Sequence, residues 1–430
     1  MAKLAIKGGD KVRNELFPAY RVIGKEEEDA VIRTLRTGIL SRFLGCWHDD
    51  FYGGPQVNAL EEEWADYFGA KYAISVNSAT SALMCAVGAL EIEPEDEIIV
   101  CPYTMCASAT APLVYNAIPV FADIEHEYFC LDPKSVEERI TEKTKAIIVV
   151  NIFGQPHAAD EIREIAKKHC VSIIEDNAQG PDALYKGRKA GTLGDIGVFS
   201  LNYHKHIHCG EGGIAVTNDE ELAKRLKLIR NHAEAVVEGM GYTNPINMFG
   251  FNMRMTELEA AIAREQLKKL SSLVDERIEN VKYISERLGK IPYIKVPEVR
   301  EECKHVYYQQ PLFYVDLDEG ISREEYIEAV KAELMPTELR EGEGVKVGCG
   351  YMKPLYLQPL FQSRQVYGNQ GYPLRNSTVS YDKGICPVCE QLYEKELINH
   401  DLMRPGMSKN DLDDVCAAFE KVYEYRDELV

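Results

Sequence analysis

At 430 residues the chain is long enough for two domains, and 45% hydrophobic with 27% charged residues is the composition of an ordinary globular protein rather than a disordered one. A formal net charge of −20 argues against a nucleic-acid or anionic-membrane surface as the main partner, and leaves room only for a local basic pocket. The opening Met1-Ala2-Lys3-Leu4-Ala5-Ile6-Lys7 lacks the apolar stretch of a signal peptide, and no later run reaches the ~20 apolar residues of a membrane span, so the protein is expected in the cytoplasm with most of its twelve cysteines free and buried.

The stretch Ser41 to Tyr52, with Arg42, Cys46, Trp47 and His48, reads equally as a wall of a substrate pocket or as a plain surface loop. Gly53-Gly54-Pro55 then introduces a helical stretch from Val57 to Phe68. From about Lys71 to Thr217 short β-rich runs (Tyr72 to Val76, Glu97 to Val100, Pro119 to Ala122, Ala146 to Val150, Ser172 to Glu175, Gly197 to Ser200) alternate with helix-length stretches such as Ala79 to Leu90 and Ala159 to His169. That alternation predicts an α/β fold with a largely parallel sheet and ligands bound beyond the strand ends. Thr256 to Gly289 carries apolar residues at helical spacing and leads into a smaller mixed domain with a strand at Tyr307 to Val315 and helices at Arg323 to Ala332 and Lys409 to Tyr425. The expected division is residues 1–265 and 266–430, without internal repeats.

The chemistry concentrates between the two predicted strands that end near Asp176 and Ser200. Glu175-Asp176-Asn177-Ala178-Gln179 precedes Ser200-Leu201-Asn202-Tyr203-His204-Lys205, and Gly210-Glu211-Gly212-Gly213 follows. A lysine amine can form a Schiff base with an aldehyde, and an aspartate can hold a ring nitrogen protonated so that the ring withdraws electrons. Those two residue types at strand ends suit pyridoxal 5'-phosphate. Its phosphate should lie at a helix N-terminus, where free amides and the helix dipole favour an anion, and Ala79 and Thr80 open such a helix.

Six segments taken in order, Ser78-Ala79-Thr80-Ser81-Ala82-Leu83, Pro102-Tyr103-Thr104-Met105, Glu175 to Gln179, Ser200 with Lys205, Gly210 to Gly213, and Gly250-Phe251-Asn252-Met253-Arg254-Met255, resemble the DegT/StrS-type aminotransferases, which put amino groups on keto sugars and keto cyclitols. The resemblance covers most of the chain. It implies the aspartate-aminotransferase-like fold type I, a large domain with a mixed, mostly parallel sheet and a smaller α+β C-terminal domain. It also implies Lys205 as the Schiff-base lysine, Asp176 on the ring nitrogen, Gln179 on the phenolic oxygen, and Ser200 with Ala79 and Thr80 on the phosphate. Asn252 would reach the phosphate of a neighbouring subunit, which makes the expected assembly a homodimer with shared active sites.

Two positions depart from the family pattern. Its Gly-Thr has become Ala79-Thr80, which keeps the amides, and Met105 stands where relatives carry a ring that stacks on the cofactor, with Tyr103 as a substitute. Arg254 suits the carboxylate of the amino donor, because guanidinium grips a carboxylate with two hydrogen bonds. His204, His206 and His208 alternate around Lys205; if the segment is extended they share a face, yet no carboxylate or cysteine set completes a metal site, so no metal is expected and His204 is assigned to substrate. Cys386-Pro387-Val388-Cys389 lacks a second ligand pair and reads as structural. The expected reaction moves an amino group from glutamate or glutamine to a keto sugar on a nucleotide. Alternatives are a keto cyclitol, suggested by the extended segment Tyr351 to Tyr381, or a dehydratase, whose histidine at the lysine position is not found here.

Overall fold

The computed structural model describes residues 3–430; Met1 and Ala2 of the opening segment lie outside them. Seven strands form the main sheet: β1 (Tyr72–Val76), β2 (Glu97–Val100), β3 (Ile118–Phe121), β4 (Thr144–Val150), β5 (Ser172–Asp176), β6 (Ile196–Ser200) and β7 (Gly213–Thr217). Their spatial order is β1-β7-β6-β5-β4-β2-β3, and every neighbouring pair is parallel except the two that involve β7. The runs are mostly apolar and almost wholly buried rather than alternating, as a sheet covered on both faces requires.

Helices α1 (Lys25–Thr37), α2 (Pro55–Phe68), α3 (Ala79–Ala89), α4 (Ala159–His169) and α5 (Glu220–Arg230) surround that sheet, and α6 (Glu257–Leu288) leaves it. Thr256 starts α6 with a capping box: its hydroxyl accepts from the Glu259 amide while the Glu259 carboxylate accepts from the Thr256 amide. The expected boundary at 265/266 falls inside this helix, which serves two cores. Ala260, Leu267 and Val274 pack with Trp64 and Phe199, whereas Val281, Ile284 and Leu288 pack with the C-terminal unit.

That unit holds an antiparallel sheet of β8 (Ile294–Lys295), β9 (Gln310–Tyr314), β10 (Val347–Cys349) and β11 (Leu397–His400), in the order β8-β9-β11-β10, against α7 (Arg323–Glu333) and α8 (Lys409–Glu424). β9 is shorter than the Tyr307 to Val315 expected, because the carbonyls of Tyr307 and Tyr308 are taken by Arg277 of α6. Residues near the N-terminus return to the same core: Leu4 and Phe17 are buried beside Val415 and Phe419. Between β10 and β11 the chain crosses to the large unit, where Tyr356, Phe361 and Tyr381 pack around Phe121 at the edge of the main sheet. Cys386 and Cys389 are both buried there, and Asp123 accepts the amides of Val388 and Cys389. Among the described residues no helix is long and apolar enough to cross a membrane.

Candidate active site

Strand alternation separates the two carboxylates at the end of β5. Glu175 turns away from the cleft and is satisfied by Asn151 Nδ2 and the Leu193 amide, both at 2.8 Å. Asp176 turns into the cleft beyond the carboxyl ends of the strands, 5% exposed, where it accepts the Ser108 hydroxyl at 2.7 Å and the Ala178 amide at 3.1 Å. No salt bridge to it forms among the described residues. Burial accordingly pushes its pKa up, against the lowering effect of those two donors and of the Lys205 charge.

Lys205 lies on the loop between β6 and β7. The loop is compact rather than extended: the Leu201 amide donates to Gly212, Tyr203 to Gly210, and Cys209 to Leu201, while Gly210 takes φ +92 to close it. The condition under which His204, His206 and His208 would share one face, an extended segment, is therefore not met. His206 is fully buried with Nε2 2.8 Å from the Val306 carbonyl, and only His204 lines the cleft. The Lys205 ammonium stands 4.2 Å from the centre of the Tyr308 ring. Tyr308 is held in turn by Arg277, which donates to the carbonyls of Tyr307 and Tyr308, and Tyr20 donates to the His206 carbonyl at 2.6 Å.

Opposite the lysine, Ser78 caps α3 by accepting the Ser81 amide, which leaves the amides of Ala79 and Thr80 without an intrahelical partner. β7 presses against this helix start. A Cβ on Gly213 would lie 2.4 Å from the Ser78 carbonyl carbon and 2.5 Å from the Ala79 nitrogen, so glycine is required for that approach. Ser200, at the end of β6, brings a hydroxyl to the same place.

The open cleft of about 1030 Å³ thus collects Ala79, Thr80, Met105, Asp176, Gln179, Ser200, His204 and Lys205. It also holds Tyr308 and Tyr351, which the sequence reading did not single out; both come from the C-terminal unit, more than a hundred residues beyond the lysine. Gln179 is fixed by the Phe153 amide at its Oε1 (2.7 Å) and donates from Nε2 to the Tyr351 hydroxyl (3.2 Å). Tyr103 is not the substitute for a stacking ring. It is fully buried beneath Tyr351, whose amide donates to its hydroxyl at 2.7 Å, and the side chain on the cleft is Met105, half exposed.

Asn252 and Arg254 stand outside this chain's own cleft, with Arg254 Nε donating to Asn252 Oδ1 at 2.8 Å on the surface. The Ser41–Tyr52 loop does not line that cleft either: it is tied to Asn231, whose amide donates to the Leu44 and Phe51 carbonyls, and Trp47 packs on Gly239. The residues present fit pyridoxal 5'-phosphate. A buried carboxylate with no salt-bridge partner among the described residues suits a protonated ring nitrogen, the free amides of α3 with Ser200 suit a phosphate, and a lysine stands within the same cleft.

A model of the DegT/DnrJ/EryC1/StrS aminotransferase family matches residues 46–420. Over 442 residues the chain is 31% identical to a putative L-glutamine:3-amino-2,3-dideoxy-scyllo-inosose aminotransferase of Micromonospora echinospora, covering 98% of this chain and 97% of that one. Over 366 residues it is 33% identical to a UDP-N-acetyl-3-dehydro-α-D-glucosamine 3-aminotransferase of Acidithiobacillus ferrooxidans, with 84% and 88% covered. The crystal structure of an aminotransferase from Psychrobacter cryohalolentis superposes with a TM-score of 0.81 at 29% identity, covering 95% of this chain and 99% of the other.

Proposed function

The chain belongs to the DegT/DnrJ/EryC1/StrS aminotransferase family, whose enzymes depend on pyridoxal 5'-phosphate, and from that premise we propose that it moves an amino group from glutamate or glutamine to a ketone on a nucleotide-linked sugar. The observation that carries the reading is the convergence of Lys205, the buried Asp176 and the start of α3 in one cleft. When bound, the cofactor supplies an aldehyde for an amine and a ring that withdraws electrons. Lys205 would hold the cofactor through its aldehyde, and its amine is the group within the cleft that would move the proton at the reacting carbon. Asp176 would keep the ring nitrogen protonated, Gln179 and Tyr351 would offer N–H and O–H donors to the phenolic oxygen, and Ala79, Thr80 and Ser200 would hold the phosphate. Met105, on the cleft wall, would offer the ring a polarizable sulfur in place of an aromatic face.

A keto-cyclitol acceptor is the second reading. It is favoured by the near-complete match to the inosose aminotransferase and by the strap between β10 and β11, which delivers Tyr351 to the cleft. The test is a reverse assay with amino-sugar nucleotides and amino cyclitols, each with 2-oxoglutarate or its amide. Conversion of one class identifies the acceptor, and conversion of neither with a fully loaded enzyme overturns the assignment.

We also propose a homodimer with shared sites. Asn252 and Arg254 sit outside their own cleft, and Leu40, Leu44, Trp47 and Phe249, from the segments that flank them, are exposed apolar side chains. Each site would take Lys205 from one subunit and Asn252 from the other. Subunit exchange between Lys205→Ala and Asn252→Ala proteins then makes about half of the dimers mixed. Each mixed dimer holds one intact site, so activity should rise well above either parent. No recovery, with exchange demonstrated and both parents impaired, rules the arrangement out.

A further inference from the structure

The cleft does not end at Lys205. Past His204 and Tyr308 it opens into a side cavity of about 450 Å³, walled by Gln309, Arg340, Lys346, Asp401 and Arg404 of the C-terminal unit. Arg340 forks onto Glu343, which also takes Lys346, and Arg404 pairs with Asp401. Three cations against two carboxylates leave this corner positive in a protein of net charge −20.

The donors there are not used up. Arg340 makes its bonds through Nε and Nη2, leaving Nη1, and Arg404 reaches Asp401 through Nη2 alone. Both arginine side chains are only 13% exposed. Gln309 Oε1 is buried without a partner, and a half-turn of that amide presents N–H in the same place. Arg340 Nη2 lies 2.6 Å from His204 Nδ1. Guanidinium only donates, so Nδ1 accepts and the neutral ring carries its proton on Nε2. Burial, with the Arg340 charge, holds that ring neutral by pushing its pKa down to about 4.

We propose that this cavity is the subsite for the α-carboxylate of the amino-acid donor, with Arg340, Lys346 and Arg404 as its cationic wall and His204 Nε2–H as a further donor. The location selects the ligand. Tyr308 is both the ring beneath the Lys205 ammonium and a wall of the cavity. An amine delivered where the lysine amine stands has its α-carboxylate one carbon away, against that wall, whereas a nucleotide diphosphate lies a whole sugar ring further out.

The proposal rests on the aminotransferase reading, and the test separates the two. In single turnovers of the cofactor-loaded enzyme, followed by loss of its visible absorption, the half-saturating glutamine concentration should rise about 10- to 100-fold in Arg404→Gln and Arg340→Gln, as for loss of a charge-assisted hydrogen bond. Arg404→Lys should recover part of it. The decarboxylated amine 4-aminobutanamide should be converted equally by wild type and variants. Calorimetric titration with unreactive glutarate should weaken in the same order. Because Arg404→Gln strips Asp401 of its partner, Lys346→Met at the more open end serves as the variant if that protein melts. Unchanged donor saturation in the folded variants overturns the subsite, as does equal loss for 4-aminobutanamide or a loss confined to the nucleotide sugar. Failure of the wild type to convert with any amino acid overturns the aminotransferase reading and the subsite with it.

Discussion

Lys205→Ala should lose about a thousandfold or more in turnover, because the substitution removes the covalent partner and the proton carrier together. The cofactor should still bind, since Asp176, the amides of α3 and Ser200 are untouched, but dialysis should now remove it. Tyr308 stays in place, because its position is set by Arg277 rather than by the lysine above it. Turnover and the visible spectrum of the dialysed protein read both effects. Near-normal turnover would reassign the lysine.

Asp176→Asn should cost on the order of a hundredfold or more in kcat with little change in KM, because an amide cannot hold the ring nitrogen protonated while substrate contacts persist. Stability gives an independent readout. Burial raises the folded pKa of Asp176 above its unfolded value, so folding binds a proton more tightly. Its contribution is fully present below the unfolded pKa and is lost as pH rises through the folded one. Burial opposes the ionised carboxylate of the cofactor-free wild type, so above the folded pKa cofactor-free Asp176→Asn should unfold at the same or a higher urea concentration. The loaded proteins should reverse that order. A cofactor-free variant that is much weaker than wild type would make Asp176 a structural residue instead.

The large unit was legible because its signals are local. Apolar runs of strand length end in Asp176 and Ser200, and the Thr256/Glu259 capping box marks where α6 begins. Ala159 to His169 appears as a helix with the expected ends. Readings failed where contacts distant in sequence set the conformation. The loop after Ser200 looks extended in isolation, yet it is folded back by Gly210 and pinned by Tyr20 and by the Val306 carbonyl. Tyr103 sits one residue from a position that faces the cleft, and only the Tyr351 amide, 248 residues later, explains its burial. Tyr308 and Arg340 have no motif around them. Their role comes from α6 and from His204, neither of which is near them in the chain.

The C-terminal unit draws its core from both ends of the described chain, with Leu4 and Phe17 buried against Val415 and Phe419. During synthesis the first of these residues emerges some four hundred residues before the last. Until α7 and then α8 leave the ribosome, the early apolar side chains lack the surfaces that cover them, although the main sheet between can already close. The nascent protein is thus a finished cofactor-binding half with a sticky leader, and exposed leaders of this kind draw chaperones or other unfinished chains. Tyr308 is set by Arg277 and Arg340 follows α7, so a chain stalled before Arg340 holds Lys205 and Asp176 without the cationic wall beside the cleft.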